Sequence, residues 1–365
     1  MNDLRSIPAY LMRGGTSKGL IFHKKDLPND RNVLTEYLLK IMGSPDVRQI
    51  NGLGGGTSVT SKVCIISKSL EKNIDIDYFF AQVEVDRKHV DYAPTCGNML
   101  SALGPFAIEE SLVETHNDIT QVNVKSINTD ALITLNVPTP DGKLKYSGDF
   151  KIDGVPGTGS KILMNFKNLE GKTTGNLFPT GNITDTFEEI NVTCFDLATS
   201  MMICDAKDFN IIGNEDPKEL NNNKKLLDSI EQIRLIAGKK MGMGDVRGKV
   251  LPKVSLLSKS VNTNSIVSRY FTPYSCHETH AVTGTCCVAS SCLIPGTIGF
   301  NLLKKNESLE LKSEIIKIEH PMGTIDCSII LNSNFKNNLI SKKNLINSCG
   351  VYRTSRILMK GQVYF

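Results

Sequence analysis

The sequence predicts an α+β protein of two similar halves, each a curled sheet or barrel around a central helix, facing each other across a cleft. Three observations point there. Short apolar stretches recur between Gly, Pro and Asn turns, the pattern of a strand-rich chain. Few segments have helical spacing. Two that do share one plan: a short Gly-containing opening runs into small and apolar residues nearly free of charge, as expected of helices enclosed by sheet.

Strands are expected at Leu20–His23, Val63–Ser67, Asp75–Val85, Gln121–Ser126, Ala131–Val137, Glu189–Cys194, Val254–Leu257, Ile315–Glu319 and Thr324–Leu331. The clearest long helix runs from about Lys224 to Met241, with Leu226, Leu227, Ile230, Ile233 and Ala237 at helical spacing and Asn221–Asn223 available to cap it. The two enclosed helices run from Cys96 towards Glu110 and from Thr283 to Leu293. The expected halves are residues 1–183, completed by a last strand at 350–365, and residues 184–349. The Asn- and Lys-rich stretch Asn332–Asn347 reads as an exposed connection.

With 365 residues, 40% hydrophobic and 22% charged, the chain can bury a core. Its net charge of +4 is spread along the sequence. That suits small anions and lacks the dense basic stripe of a nucleic-acid binder. No basic-then-apolar leader opens the sequence, and no apolar run is long enough to cross a bilayer. The ten cysteines sit mostly in apolar surroundings and read as reduced cytosolic thiols, by default small buried hydrophobes.

Four segments could carry chemistry. In Asp91-Tyr92-Ala93-Pro94-Thr95-Cys96-Gly97-Asn98 a turn ends where Cys96 and Gly97 open a helix. A thiol there faces unpaired N–H groups and the positive end of the helix dipole, which favour thiolate over thiol. The plainer reading is a buried cysteine at a helix start. In Asn51-Gly52-Leu53-Gly54-Gly55-Gly56-Thr57-Ser58-Val59-Thr60-Ser61-Lys62 a donor-rich loop leads into an apolar run. Lys62 there is open to desolvation, which suits a lysine that takes a proton from carbon, though spacing alone favours the exposed start of a strand. Met12-Arg13-Gly14-Gly15-Thr16-Ser17-Lys18-Gly19 lacks the order of a phosphate loop but offers flexible backbone, hydroxyls and cations to an anion. Arg269, and Cys276, His277 and His280 after it, precede a helix start at Thr283-Gly284. The histidine spacing is not that of a zinc-protease helix, and no metal is expected.

Taken together, MRGGTSKG, GGGTSVTSKV, DYAPTCGNMLSALGPFAIE, PTGN, HAVTGT, HPMG and the terminal RTSRILMKGQVYF resemble the PrpF family along the full chain. These are methylaconitate cis-trans isomerase-like proteins with the diaminopimelate epimerase fold. The resemblance implies two similar domains with the active site in the cleft between them. Epimerases of that fold use one cysteine from each half. Cys96 matches the first, whereas the second half reads Ala281-Val282-Thr283-Gly284, without a cysteine. This departs from amino-acid epimerisation and fits the family arrangement, in which a lysine at the position of Lys62 joins the cysteine at the position of Cys96.

The expected reaction is a cofactor-free proton transfer on a small unsaturated di- or tricarboxylate such as 2-methylaconitate, aconitate or 3-methylitaconate. Lys62 and Cys96 are the expected catalytic pair. Thr16, Ser17, Lys18, Gly97, Asn98, Arg269, Thr283 and Gly284 are expected to hold the carboxylates. A 4-oxalomesaconate tautomerase, a racemase on the same fold and a non-catalytic helper of an aconitase-like enzyme stand as alternatives. A small acid is the only partner expected, with homo-oligomerisation left open.

Overall fold

The computed structural model describes residues 4–272, 274–303, 313–332 and 345–365. They fall into two compact units. Unit 1 comprises the residues up to Phe166 together with Arg353–Phe365, and unit 2 runs from Lys167 to Tyr352.

Unit 1 is built from β1 (Ser6–Gly14), β2 (Ser17–His23), α1 (Arg31–Met42), β3 (Lys62–Lys68), β4 (Ile76–Val83), β5 (Val90–Asp91), α2 (Gly97–Glu109), β6 (Asp118–Ser126), β7 (Leu132–Thr139) and β8 (Ile162–Lys167). Unit 2 contains β9 (Asp185–Phe187), β10 (Ile190–Leu197), β11 (Thr199–Asp205), α3 (Pro217–Asn222), α4 (Lys224–Lys240), β12 (Lys253–Lys259), β13 (Ser265–Phe271), α5 (Val282–Ser291), α6 (Ile298–Leu302), β14 (Ser313–His320), β15 (Gly323–Leu331) and β16 (Ile346–Arg353). The chain then returns to unit 1 as β17 (Ser355–Tyr364), antiparallel to β1.

Each unit repeats one pairing scheme. In unit 1, β1–β2 is antiparallel, β2–β3 parallel, β3–β4 antiparallel, β4–β6 parallel, and β6–β7 and β7–β8 antiparallel. Unit 2 gives the same series through β10–β11, β11–β12, β12–β13, β13–β14, β14–β15 and β15–β16. Parallel neighbours need a crossover, and helices supply it at corresponding places. α1 and α4 bridge the first parallel pair of each unit; α2 and α5 bridge the second.

The enclosed helices justify their sequence. Met99 to Ala107 of α2 and Gly284 to Ser291 of α5 are all buried. α2 packs on β1, β2, β7 and β17, and α5 on β10, β11, β14 and β15. A charge on either would be stranded; each Leu or Phe of α2 instead stabilises by roughly 1.5–3 kcal/mol. A second apolar layer joins α1 to β1–β4 in unit 1 and α4 to β10–β12 in unit 2.

The long helix spans Lys224–Lys240 with Asn223 as its cap. α1 is an element the sequence analysis does not set out, although Asp30 caps it through the N–H groups of Asn32 and Val33 and Gly43 ends it at φ 79°. Residues 333–344 of the expected Asn-rich connection lie outside the described residues. Of its described residues Asn332 and Asn347 are exposed as expected, but Leu345 and Ile346 are buried, and β16 begins at Ile346. All ten cysteines are buried, and none forms a disulfide. Among the described residues no helix is long and apolar enough to cross a membrane.

Candidate active site

Unit 1 contains seven of the expected residues, and the turn that carries Thr16 lies against the start of α2. The β1–β2 hairpin turns through Gly15 and Thr16, and Gly14 and Gly15 lie against the first turn of α2. Only glycine fits at either position. A Cβ on Gly14 would stand 2.7 Å from the Asn98 carbonyl oxygen and 2.9 Å from Met99 Cα, and Gly15 holds φ 52° against the Asn98 side chain. Asn98 Nδ2 donates to Thr16 Oγ1 at 3.0 Å, and Arg353 Nε donates to Asn98 Oδ1 at 3.2 Å. Thr16 is exposed, Lys18 half-buried and Ser17 buried.

Cys96 is the N-cap residue of α2, with extended backbone (φ −114°, ψ 105°), and is 9% exposed. It makes no side-chain cap to the helix. α5 likewise starts without one at Ala281, whereas α1, α3, α4 and α6 are capped by Asp30, Asp216, Asn223 and Thr297. The two enclosed helices therefore leave their first N–H groups without a side-chain acceptor. Those groups carry the positive end of the helix dipole and suit an anion.

Lys62 opens β3, paired with Gly19 of β2 and with Gln82 of β4. It is 9% exposed. Its Nζ donates to Gln82 Oε1 at 2.6 Å and lies 5.3 Å from the centre of the Phe80 ring. Gln82 is itself fixed, because its Nε2 donates to the carbonyls of Ser61 at 2.8 Å and Ser58 at 3.1 Å. The glycine loop of residues 52–56 thus serves as more than a donor-rich segment: it leads into the carbonyls that orient the lysine's acceptor. Gly19 is required beneath this arrangement, since a Cβ there would meet the Lys62 carbonyl oxygen at 2.5 Å.

Lys62 and Cys96 have a common neighbour in Cys64, two residues along β3. Burial pushes the Cys64 thiol up strongly; a charge on Cys96 would push it further, and the Lys62 ammonium opposes both. The Tyr78 hydroxyl, 3.9 Å from Cys64 Sγ, also reaches the Cys96 carbonyl at 3.5 Å. An amine and the thiol of an N-cap residue thus both act on one buried thiol that burial holds protonated.

Three expected residues lie in unit 2. Thr283 is exposed in the first turn of α5, which begins at Val282 rather than Thr283. Gly284 is buried beneath Tyr270, whose ring a Cβ would meet at 2.7 Å, so packing demands this glycine. Arg269 is 5% exposed and donates to the Glu215 carbonyl at 2.8 Å and the Ser268 carbonyl at 3.3 Å. It ties the 215 loop to β13, a structural duty the sequence does not suggest.

Cys276, His277 and His280 do not converge on a common ligand position. His280 meets Ser268 Oγ through Nε2 at 3.0 Å, and burial holds its imidazole neutral with a pKa of about 3. Burial raises Cys276 to about 11. The one group of three metal-capable side chains among the described residues is Cys286, Cys327 and Cys349, buried in the core of unit 2. Gln82 and Tyr78 are site residues absent from the sequence reading, and Arg353 enters it only within the terminal RTSRILMKGQVYF, with no role assigned.

A family model described as PrpF protein matches residues 4–365. The 4-oxalomesaconate tautomerase of Pseudomonas putida is 40% identical over 357 residues, covering 98% of this chain and 95% of that protein. The crystal structure of a methylitaconate-delta-isomerase is similar with TM-score 0.88 at 36% identity, covering 100% of this chain and 96% of that one. That of a hydroxyproline epimerase from Agrobacterium vitis is similar with TM-score 0.52 at 9% identity over 100% of this chain and 94% of that one, a likeness of fold alone. The doubled arrangement of sheet and helix is that of the diaminopimelate epimerase-like fold.

Proposed function

The chain belongs to the PrpF family, and from that premise we propose that it is an isomerase that moves a proton within a small unsaturated di- or tricarboxylic acid, with Lys62 and Cys96 as proton carriers. One observation carries the reading: an amine and a thiol, each 9% exposed, both act electrostatically on the same buried thiol, whose neighbour Tyr78 reaches the carbonyl of Cys96 at a helix start left uncapped. The relatives named as a 4-oxalomesaconate tautomerase and a methylitaconate isomerase support the substrate class.

Proton balance sets the mechanism. One of the pair takes a proton from a carbon activated by a neighbouring carboxylate. The electron pair left behind delocalises through the double bond as a dienolate, with charge on carboxylate oxygens. The other member returns a proton at a second carbon, so the double bond shifts or rotates and the formula is unchanged. The N–H groups of Gly97 and Asn98 are proposed to hold one carboxylate and to stabilise the charge that develops on it. Thr16 assists: its oxygen accepts from Asn98, so its O–H is free to donate. Ser17 and Lys18 complete this group. Thr283 and Gly284 of α5 are proposed as a second group of the same kind. A two-thiol racemase is disfavoured, because α5 has Ala281 where α2 has Cys96. Ten cysteines without a disulfide among them support a reducing, cytoplasmic setting.

Incubation in D₂O with 3-methylitaconate, 4-oxalomesaconate, 2-methylaconitate and trans-aconitate, followed by proton NMR, tests the reading. Deuterium should enter at least one acid at the carbons flanking the shifted double bond. Wild-type protein that exchanges none of the four is not this isomerase.

Gln82 supplies a sharper test of Lys62. A neutral amide holds the ammonium in place without a counter-charge. Gln82→Glu would set a carboxylate there, which favours the charged amine. The limb of the pH–rate profile that titrates with Lys62 should then move to higher pH. A rising limb that moves marks Lys62 as the base, and a falling limb marks it as the acid. A profile identical to wild type would separate Lys62 from the reaction.

A further inference from the structure

Three of the ten cysteines meet in the core of unit 2. Cys286 lies on α5, Cys327 on β15 and Cys349 on β16. The β15–β16 ladder sets Cys349 opposite Ile329 and Cys327 opposite Val351, so the two cysteines share one face of the sheet, a single pair apart. α5 packs on β15 and brings Cys286 to them. The three sulfurs lie within 4.8 Å of one another, and Cys327 Sγ and Cys349 Sγ are 3.3 Å apart. None of the three residues is more than 1% exposed.

Buried thiols pack as small hydrophobes, but this trio also has the spacing of a ligand set. Sulfurs bonded to one centre at about 2.3 Å, the length of a zinc–thiolate bond, stand roughly 3.3–4.0 Å apart when the bond angles are about 90–120°. The separations here, 3.3 Å for one pair and no more than 4.8 Å for the others, span that range. Ser290 follows Cys286 by one helical turn and shares its face of α5. Its hydroxyl is fully buried, has no hydrogen-bond partner of regular geometry among the described residues, and bears on Cys349. A buried hydroxyl left unmatched is costly. A bound thiolate sulfur at Cys349 is an acceptor for it, far better than a neutral thiol.

Charge selects the ion. Burial raises the Cys327 thiol well above its ordinary range, so this core tolerates an uncharged group far better than a charged one. Three thiolates around a monovalent or divalent ion keep a net negative charge in apolar surroundings, which is costly. A trivalent ion cancels them. Zinc, besides, takes four ligands in a closed site, one more than the trio provides.

We propose that Cys286, Cys327 and Cys349 form a three-sulfur site for a trivalent thiophilic ion of the arsenic(III) class. Arsenous acid arrives uncharged. Each thiol gives its proton to one hydroxyl of As(OH)₃, three As–S bonds replace three As–O bonds, and three waters leave. Nothing is oxidised or reduced, and the product is neutral. The bound ion ties α5 to β15 and β16 and so stabilises the folded unit. Uptake waits on transient opening of the core and is slow. The site uses no residue assigned to proton transfer and requires no turnover, so it stands or falls apart from the chemistry of Lys62 and Cys96.

Arsenite is the probe. The reduced full chain, incubated with excess arsenite, should take up one arsenic, read in native mass spectrometry as the mass of arsenic less three hydrogens. Arsenic-edge X-ray absorption on the same unaltered protein should show three sulfur neighbours and no oxygen. Cys327→Ala or Cys349→Ala should weaken uptake roughly hundredfold, as expected when a chelate loses one donor. Cys204→Ala, which removes a buried thiol outside the trio, should bind like wild type. No arsenic bound at saturation, a shell of two sulfurs and one oxygen, or wild-type affinity in a folded Cys349→Ala variant overturns the site. Zinc bound one-to-one in protein purified under reducing conditions, and lost in that variant, overturns the choice of ion. The absorption measurement needs no variant, so a substitution that fails to fold leaves the answer intact.

Discussion

Replacing Cys96 by alanine, or Lys62 by methionine, is expected to lower kcat roughly 10³-fold on whichever acid the deuterium exchange identifies, with little change in Tm. Positioned acid–base groups typically contribute 10²- to 10⁴-fold. The two residues act on one proton path, so their losses should not multiply: the double variant should be about as slow as the slower single variant. Both side chains sit at the edge of the core at 9% exposure, one closing a turn and one opening a strand, so neither removal should leave a large cavity. Cys64 cannot substitute for Cys96, since complete burial holds its thiol protonated. Steady-state kinetics with thermal melts on the same preparations decide the matter. A single variant that melts like wild type and keeps a tenth of its kcat removes that residue from the mechanism.

Much of this was legible in the sequence because it depends on local chemistry. Nine buried positions in α2 need an uncharged run, and Met99 to Ala107 is such a run. Pro94-Thr95 before Cys96-Gly97 marks a helix start, and the structure puts Cys96 at the N-cap. What depends on register was hidden. Gln82 touches Lys62 only because β3 and β4 pair Lys62 with Gln82, and nothing near residue 82 announces it. Arg353 reaches Asn98 across 255 residues of chain. Arg269 looked like an anion binder beside histidines, yet β13 turns it inward onto backbone carbonyls. The internal repeat lay in plain view in Lys62–Lys68 and Lys253–Lys259. A seven-residue likeness gains weight only when both strands open opposite a parallel neighbour at the same step. α1 was readable from Asp30 and Gly43, since caps mark helix ends independently of the apolar pattern between them.

Gly14→Ala is expected to lower kcat/KM by about 10²-fold, far beyond what its loss of stability explains. The added methyl would stand 2.7 Å from the Asn98 carbonyl oxygen and 2.9 Å from Met99 Cα. Both are backbone atoms of the first turn of α2, so no side chain can rotate away and the helix start itself must move. Overpacking of this kind costs about 1–3 kcal/mol, which a chain of this size can survive folded. The displaced turn carries Cys96 at its cap and the Gly97 and Asn98 N–H groups, so a shift of even a fraction of an ångström moves the thiol and the anion donors together. Gly361→Ala is the fitting comparison. Gly361 lies on β17 opposite Ala9 of β1, in the sheet that carries Gly14, and a Cβ there meets nothing within 4 Å. It should leave both Tm and kcat/KM unchanged. If Gly14→Ala lowered Tm and kept wild-type kcat/KM, the close seat of β1 under α2 would be a matter of packing alone, and the position of Cys96 would have to be set from the helix's other neighbours, among them β2, β7 and β17.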